Sequence, residues 1–234
     1  MRFFIVHAHH EPQSFNGAMT RTAVETLEGL GHDVVVSDLH QMGFDPVSDR
    51  RNFTDAANAD YLKQQREETH ATETGGFAPD LVAEMEKLEA CDALIFQCPL
   101  WWFGMPAILK GWCDRVLAAG RVYGGGKWYD DGLKRGKRAM ISMTTGGPES
   151  MYSAQGLNGD IDTLLYPINH GVFRFIGFDV LPQYMVWGPA RMSDDERAAA
   201  LEGYRERLRT FHETTPIAYP SLSEYDTTTY TRKA

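Results

Sequence analysis

The amino-acid sequence predicts an α/β fold in which a doubly wound, five-stranded parallel sheet of order 2-1-3-4-5 carries helices on both faces. Short apolar runs alternate with longer amphipathic segments, which is typical of successive βαβ units. The run Ala93–Cys98 is apolar almost throughout, as expected for a strand at the buried centre of a parallel sheet. No repeat with a period of roughly 20 to 50 residues is present, which disfavours a solenoid or a propeller.

The ends of the elements follow from apolar runs, capping residues, glycine and proline. Ser14 and Ser193 are placed to cap helices, Glu196 completes a capping box after Ser193, and Gly31 ends the first helix. The predicted strands are Arg2–Ala8, Val34–Val36, Ala93–Cys98, Arg138–Met143 and Phe178–Met185. The predicted helices are Phe15–Leu30, Pro79 to about Cys91, Pro106–Leu117, residues 161–175 with a disturbance at Pro167, and Ser193–His212.

Two regions lack a clear helical or strand pattern. The polar stretch from Asp38 to Pro79 has little apolar periodicity, so we expect it to wrap around the surface. Residues 214–234 are polar and rich in Thr and Tyr, and are expected to form an extended C-terminal tail. The predicted organisation is therefore one domain, residues 1–213, followed by a tail, residues 214–234.

Composition narrows the class of protein. The chain has 234 residues, of which 43% are hydrophobic, and its formal net charge is −9, so the sequence predicts a globular core and disfavours binding to nucleic acid or anionic lipid. Cys91, Cys98 and Cys113 have neither a disulfide pattern nor the spacing of metal ligands. No apolar stretch approaches the ~20 residues of a membrane span. We therefore expect a cytoplasmic protein without a metal and without stable membrane insertion.

The loop after the first strand leads into a helix whose first residues are polar. His9, Ser14, Phe15 and Asn16 lie at this junction, and no glycine-rich dinucleotide motif accompanies them. A helix N-terminus offers unpaired backbone N–H groups and a partial positive charge, which suit a phosphate or diphosphate. The alternative is that Ser14 only caps the helix and His9 is solvated. The loop alone does not distinguish these two interpretations.

The third strand is followed by Pro99 and Leu100 and then by three consecutive aromatic residues, Trp101, Trp102 and Phe103. Successive residues at the end of a strand cannot all point inward. This pattern favours an aromatic surface on which a planar ring stacks. A buried aromatic turn or a subunit contact are the alternatives.

The fourth strand is followed by Thr144, Thr145, Gly146 and Gly147, and then by Tyr152 and Asn158. The glycines permit close approach of the backbone to a ligand, and the hydroxyl and N–H groups can hold charge that develops on it. By itself this is also the composition of an ordinary turn. Because the carboxyl ends of parallel strands meet at one edge of a sheet, the three loops are expected to form one site.

The sequence resembles the NAD(P)H:quinone oxidoreductases (DT-diaphorases), a flavodoxin-like family. The resemblance extends from the first strand through the last helix. It is carried by the motifs Ser14–Asn16, Ser37–Leu39, Phe96–Gly104, Pro106–Trp112, Thr144–Gly147 and Met151–Tyr152.

The resemblance implies a homodimeric flavoprotein with its active sites at the dimer interface. FAD, with FMN as the less favoured alternative, would be held without a covalent bond, and NAD(P)H and a quinone would react with it in turn, in a ping-pong sequence. Such an enzyme positions the cofactor, which supplies the redox chemistry. Two other functions are alternatives: an ancillary subunit of a potassium efflux transporter, and an FMN-type electron carrier.

The resemblance also assigns roles residue by residue. His9, Ser14, Phe15 and Asn16 would bind the diphosphate and ribityl part of FAD, and Arg197 and Leu201 would lie near its adenine. Tyr152 would stabilise negative charge during hydride transfer, and Tyr123 would enter the substrate pocket from the partner subunit. The residues implied for the flavin ring are Pro99, Leu100, Trp101, Trp102, Phe103, Thr144, Thr145, Gly146 and Gly147, of which Trp102 and Phe103 would also contact the substrate.

Three positions depart from the family pattern. Asn158 replaces a histidine that works beside the tyrosine in some members, and Asn cannot become cationic at neutral pH. Gly125 replaces a second pocket tyrosine, which should widen the substrate site, and Trp101 replaces a polar residue. We expect this protein to lack the extra C-terminal domain that helps some relatives to hold the nicotinamide nucleotide, so NADH and NADPH remain alternatives.

Overall fold

A computed structural model of the chain describes residues 1–233, and its central feature is a parallel sheet. The strands are β1 Arg2–His7, β2 Asp33–Asp38, β3 Ala93–Pro99, β4 Arg138–Thr145, β5 Asp179–Val180 and β6 Tyr184–Trp187. The helices are α1 Phe15–Gly29, α2 Gln64–Thr74, α3 Pro79–Ala90, α4 Ala107–Val116, α5 Ile161–Ile168 and α6 Asp194–Arg209. The sheet order is β2-β1-β3-β4-β5, with β6 also paired to β4, so the predicted order 2-1-3-4-5 is confirmed.

The strands bury alternate side chains in two cores, one on each face of the sheet. Phe3 and Ile5 of β1 pack with α1 and α6, whereas Phe4 and Val6 pack with α3 and α4. This alternation follows from the two-residue period of a strand. β3 is buried along its whole length, as its apolar sequence predicts. Helices therefore cover both faces, which leaves the carboxyl edge of the strands open for a site.

The fifth strand departs from its predicted range, Phe178–Met185. It is divided into β5 and β6, which both pair in parallel with β4. Pro182 lies in the gap, and proline has no N–H to donate to a neighbouring strand. The division lets the chain continue to Trp187, and this brings Trp187 beside Thr145 at the carboxyl edge.

The polar stretch after β2, whose sequence does not predict a helix, contains one. α2 lies within it, and its buried residues include two glutamates, Glu67 and Glu68, whose carboxylates accept hydrogen bonds from the backbone N–H groups of Ala57, Asn58 and Ala119. The sequence of α2 lacks an apolar periodicity because polar contacts with other segments hold the helix in place.

The structure refines two further regions. α5 ends at Ile168, and residues 169–174 continue as a π-helical turn, so Pro167 coincides with a change in helix type. The tail packs against the domain: Ile217 donates its N–H to the carbonyl of Val180 at 2.7 Å. Within residues 1–233, no helix is both long enough and apolar enough to cross a membrane.

Candidate active site

Loops from three strand ends surround one open cavity of about 820 Å³, which we call the strand-end cavity. This volume lies within the usual range for a small-molecule site, roughly 300–1,000 Å³. The residues that line it are His9, Gln13, Ser14, Phe15, Asn16, Ala18, Pro99, Leu100, Trp101, Thr144, Thr145, Gly146, Pro189, Ala190, Asp194, Arg197, Ala198 and Leu201. The convergence predicted for the loops after β1, β3 and β4 is therefore present.

The N-terminus of α1 forms one wall of the strand-end cavity. Ser14 caps the helix, because its Oγ accepts the N–H of Gly17 at 3.1 Å. The N–H groups of Phe15 and Asn16 have no acceptor within residues 1–233. Nδ1 of His9 accepts the N–H of Glu11 at 3.0 Å, which leaves Nε2 as the ring donor. Partial burial and the neighbouring His10 lower the pKa of His9, so the ring is neutral at pH 7. This wall offers several donors to an anion.

Asn16 connects the three loops beneath the cavity. Its side chain is buried and donates through Nδ2 to Oγ1 of Thr144 at 2.9 Å, while its Oδ1 accepts from Nε2 of Gln97 at 3.0 Å. Asn16 belongs to α1, Gln97 to β3 and Thr144 to β4. The amide of Asn16 therefore connects the loops, and Asn16 also lines the cavity.

The turn after β4 is held by its own polar groups. The carbonyl of Thr144 accepts the N–H of Leu100 at 2.7 Å, and Oγ1 of Thr145 donates to the carbonyl of Gly147 at 2.7 Å. A Cβ atom built on Gly146 would meet no atom within 4 Å, so this glycine leaves open space at the cavity wall. The turn is thus fixed in shape and presents backbone to the cavity.

The N-terminal part of α6 forms another wall of the strand-end cavity. Arg197 and Leu201 both line it. The guanidinium of Arg197 donates to the carbonyls of Pro189 and Met192 and pairs with the carboxylate of Asp194. Sequence reasoning missed Pro189, Ala190 and Asp194. The capping box at Ser193 and Glu196 was the available signal, because it places a helix N-terminus after the last strand.

The aromatic residues after β3 are exposed, not buried. Trp101 is 39% exposed, Trp102 98% and Phe103 50%. A tight turn holds them, in which Trp101 and Gly104 exchange backbone hydrogen bonds at 3.1 and 3.0 Å. Only Trp101 lines the strand-end cavity; Trp102 lies in a neighbouring recess with His40. The alternative of a buried aromatic turn is therefore wrong.

Tyr152 lies beside the glycine turn but does not line the strand-end cavity. Its ring stacks on Trp187 with the centroids 5.4 Å apart, and its side chain is largely buried. A Cβ atom built on Gly147 would lie 3.5 Å from Cε2 of Tyr152, so the two residues adjoin, and Gly147 does not line the cavity either. Asn158 is half-buried, and its N–H donates to the carbonyl of Met151 at 2.9 Å. Trp187 was not predicted, since its place became evident only from the path of β6.

Tyr123 and Gly125 line a second cavity of about 1,010 Å³, which we call the aromatic cavity. Its residues are Gln65, Thr69, Ala119, Gly120, Tyr123, Gly124, Gly125, Lys127, Trp128, Tyr129, Phe175, Leu222, Tyr225, Asp226, Thr227 and Tyr230. It shares none of these residues with the strand-end cavity. The structure of one chain therefore does not bring Tyr123 and Gly125 together with the other predicted site residues.

Comparisons with known proteins agree with this geometry. The sequence profile of a family described as having a flavodoxin-like fold matches residues 1–210. NAD(P)H dehydrogenase [quinone] 1 of Rattus norvegicus is 44% identical over 96% of this chain and 82% of its own length. This chain belongs to the NAD(P)H dehydrogenase [quinone] family. The resemblance read from the sequence motifs is thereby confirmed.

A second sequence relative and a solved structure extend the comparison. Ribosyldihydronicotinamide dehydrogenase [quinone] of Pongo abelii is 41% identical over 92% of this chain and 94% of its own length. A crystal structure of a candidate quinone reductase from Klebsiella pneumoniae superposes with a TM-score of 0.96, at 37% identity, and covers 100% of this chain and 94% of that one. The similarity therefore includes the whole fold.

Proposed function

We propose that this chain is a flavin-dependent NAD(P)H:quinone oxidoreductase that reduces quinones or related acceptors by two electrons. The observation that carries the proposal is the strand-end cavity, where the loops after three parallel strands meet a fourth wall from α6. The family membership supports the same reaction, because the named relatives are quinone dehydrogenases.

The donors around the strand-end cavity fit a flavin nucleotide. The unpaired N–H groups of Phe15 and Asn16 at the positive end of α1 suit a phosphate or diphosphate. Leu100 and Trp101 supply an apolar wall for a planar ring, and the backbone around Gly146 suits the polar edge of that ring. A bound flavin would supply the two-electron redox chemistry, and these residues would orient it.

We propose FAD as the cofactor in preference to FMN. Arg197 and Leu201 of α6 line the cavity together with the cap of α1. A mononucleotide would end at the α1 phosphate site and would leave the α6 wall without a function. The adenosine part of FAD gives that wall a ligand, because Leu201 is apolar and the guanidinium of Arg197 can stack on a planar base.

Tyr152 is proposed to stabilise the negative charge that develops on the reduced cofactor, with Asn158 as a second donor. Tyr152 is fixed by Trp187 on one side and adjoins Gly147 of the glycine turn on the other. A phenolic O–H can donate a hydrogen bond to a developing negative charge without becoming ionised. Asn158 can donate but cannot act as a cationic acid, so it would not relay a proton.

A homodimer would complete the active site. Tyr123 and Gly125, proposed to contact the substrate, line the aromatic cavity, which is separate from the strand-end cavity of the same chain. The two sets of residues can act on one substrate if the aromatic cavity of one copy faces the strand-end cavity of its partner. Trp102 and Phe103, which are exposed on one chain, would then contact both the substrate and the second copy.

The proposal is tested by cofactor identification and kinetics. Purified protein should be yellow, release FAD on denaturation when examined by mass spectrometry, and bleach when NADH or NADPH is added without oxygen. Steady-state rates with each nucleotide against a series of benzoquinones should give the parallel lines of a ping-pong sequence. Colourless protein that neither FAD nor FMN reconstitutes would refute the proposal, and sedimentation of an active monomer would refute its dimeric part.

A further inference from the structure

Lys127 places a free ammonium group at the wall of the aromatic cavity. Three glycines with positive φ angles, Gly124 (106°), Gly125 (60°) and Gly126 (86°), precede it, and its N–H donates to the carbonyl of Gly124 at 3.1 Å. The Lys127 side chain is exposed and forms neither an ion pair nor a hydrogen bond with residues 1–233. Its charge is therefore available to a ligand.

The rest of the aromatic cavity is suited to a flat aromatic molecule. Phe175 makes edge-to-face contacts with Tyr123 and Tyr129, with ring centroids 5.6 and 5.4 Å apart. The hydroxyl of Tyr123 accepts a hydrogen bond from Nε2 of Gln65 at 3.2 Å. These contacts fix the rings in place. Such a wall binds planar rings through apolar contact and stacking, while Lys127 adds a positive charge beside them.

Asp226 is the other charged residue that lines the aromatic cavity within residues 1–233, and it is engaged elsewhere. Its Oδ1 accepts the N–H groups of Thr228 and Thr229 at 2.8 Å each and the hydroxyl of Thr229 at 3.2 Å. Asp226 thus holds a turn of the tail and forms no ion pair with Lys127. Asp226 remains an anion at the same cavity, but it leaves the ammonium group of Lys127 free to pair with a ligand.

We propose that the aromatic cavity selects acceptors that combine an aromatic ring with an anionic substituent, and that Lys127 determines this selectivity. The proposal rests on the quinone reductase function proposed above and adds a substrate class to it. The formal net charge of the chain is −9, so its overall field disfavours anionic substrates. The ammonium group of Lys127 supplies a local positive charge that favours binding of an anionic acceptor against this field.

The test compares 1,4-naphthoquinone with 1,4-naphthoquinone-2-sulfonate, which adds one negative charge to the same ring system. Lys127→Met keeps the length of the side chain and removes its charge. Lys63→Met is the matched control, because Lys63 is also exposed and unpaired within residues 1–233 but lines neither cavity. KM and kcat are measured for both quinones and both nucleotides with the flavin-loaded protein.

Lys127→Met should raise KM for the sulfonate about threefold to fivefold, which is the change in affinity expected from the loss of one exposed ion pair. It should leave KM for the neutral quinone unchanged. Lys63→Met should change neither value. The difference should shrink as salt increases, since the screening length falls to about 3 Å at 1 M. An equal effect on both quinones, an effect of Lys63→Met of the same size, or a rise in KM for NADH or NADPH alone would overturn the proposal.

Equilibrium binding separates this inference from the proposed function. Quenching of tryptophan fluorescence by each quinone is measured without a nucleotide, for the unmodified protein and for Lys127→Met. A selective loss of sulfonate affinity in the variant supports the role of Lys127 even if turnover is absent, in which case only the proposed function fails. Equal affinities in the two proteins overturn the inference whatever the turnover.

Discussion

Gly17 controls how closely α1 approaches the loop after β1, and Gly17→Ala is the most direct test of that geometry. A Cβ atom at Gly17 would lie 2.2 Å from the carbonyl oxygen and 3.0 Å from the carbonyl carbon of Pro12, both backbone atoms. The same oxygen accepts a hydrogen bond from Arg21 at 2.8 Å. The methyl group therefore requires the loop to move by roughly 1 Å and disturbs a bond that holds it.

The expected cost follows from two opposing contributions. Overpacking of this kind costs about 1–3 kcal/mol, whereas replacing glycine by alanine inside a helix contributes about 1 kcal/mol in the favourable direction. The 2.2 Å contact is with a backbone atom, which places the cost in the upper part of that range, about 2–3 kcal/mol, so the net change for Gly17→Ala is a loss of about 1–2 kcal/mol. In a chain of this length each kcal/mol corresponds to about 2–4 °C in the melting temperature, so we expect a fall of roughly 2–8 °C.

Gly29→Ala is the matched control, since Gly29 lies in the same helix and a Cβ there would meet no atom within 4 Å. This substitution should raise the melting temperature slightly, by about 1–3 °C. Both variants are followed by calorimetry without flavin and by flavin titration. Gly17→Ala should also weaken flavin binding, because the loop that moves carries Ser14. Equal shifts in the two melting temperatures would refute the reasoning.

Three further predictions concern single side chains. Asn16→Ala leaves the amide of Gln97 and the hydroxyl of Thr144 without their partner, so urea denaturation should show a loss of about 2–4 kcal/mol in the free energy of unfolding. This loss should be less than additive with that of Thr144→Val. Additive losses would contradict the coupling of these two side chains through their hydrogen bond. Tyr152→Phe should lower kcat/KM for quinones about tenfold to a hundredfold at unchanged flavin content, and an unchanged rate would remove Tyr152 from the proposed chemistry. Burial lowers the pKa of His7 from 6.5 to about 4, so the contribution of His7 to stability is complete above pH 6.5 and is lost as the pH falls toward 4. Urea denaturation should therefore show a loss of about 2 kcal/mol between about pH 7.5 and pH 5 that is due to His7. His7→Gln should remove this part of the pH dependence, and an identical pH profile in the variant would exclude the role of His7.

The sequence predicted the sheet because its signals are local. β1 and β3 are continuous apolar runs, and the caps at Ser14 and Ser193 lie where the structure has them. The strand order then placed the three loops at one edge without any knowledge of contacts. This explains why most of the residues predicted for the cofactor line the strand-end cavity.

The parts that were missed depend on contacts between distant segments. α2 was not predicted, because its buried face includes Glu67 and Glu68 and is stabilised by N–H groups of other loops. The role of Trp187 depends on β6 pairing with β4, which brings its ring under Tyr152. Neither contact has a signature in the local sequence, so pattern reasoning could not supply them.

The backbone at Trp102 and Phe103 gives a physical reason to expect a partner for the exposed aromatic turn. Both residues have positive φ angles, 50° and 59°, in a region where bulky residues are strained by about 1–3 kcal/mol each. In a single chain this strain is not offset by packing of Trp102, whose side chain is 98% exposed. Strained residues persist where surrounding contacts fix them. A bound substrate and a second copy of the chain are the contacts that the proposed function supplies at this position, and each would bury aromatic surface that one chain leaves in water.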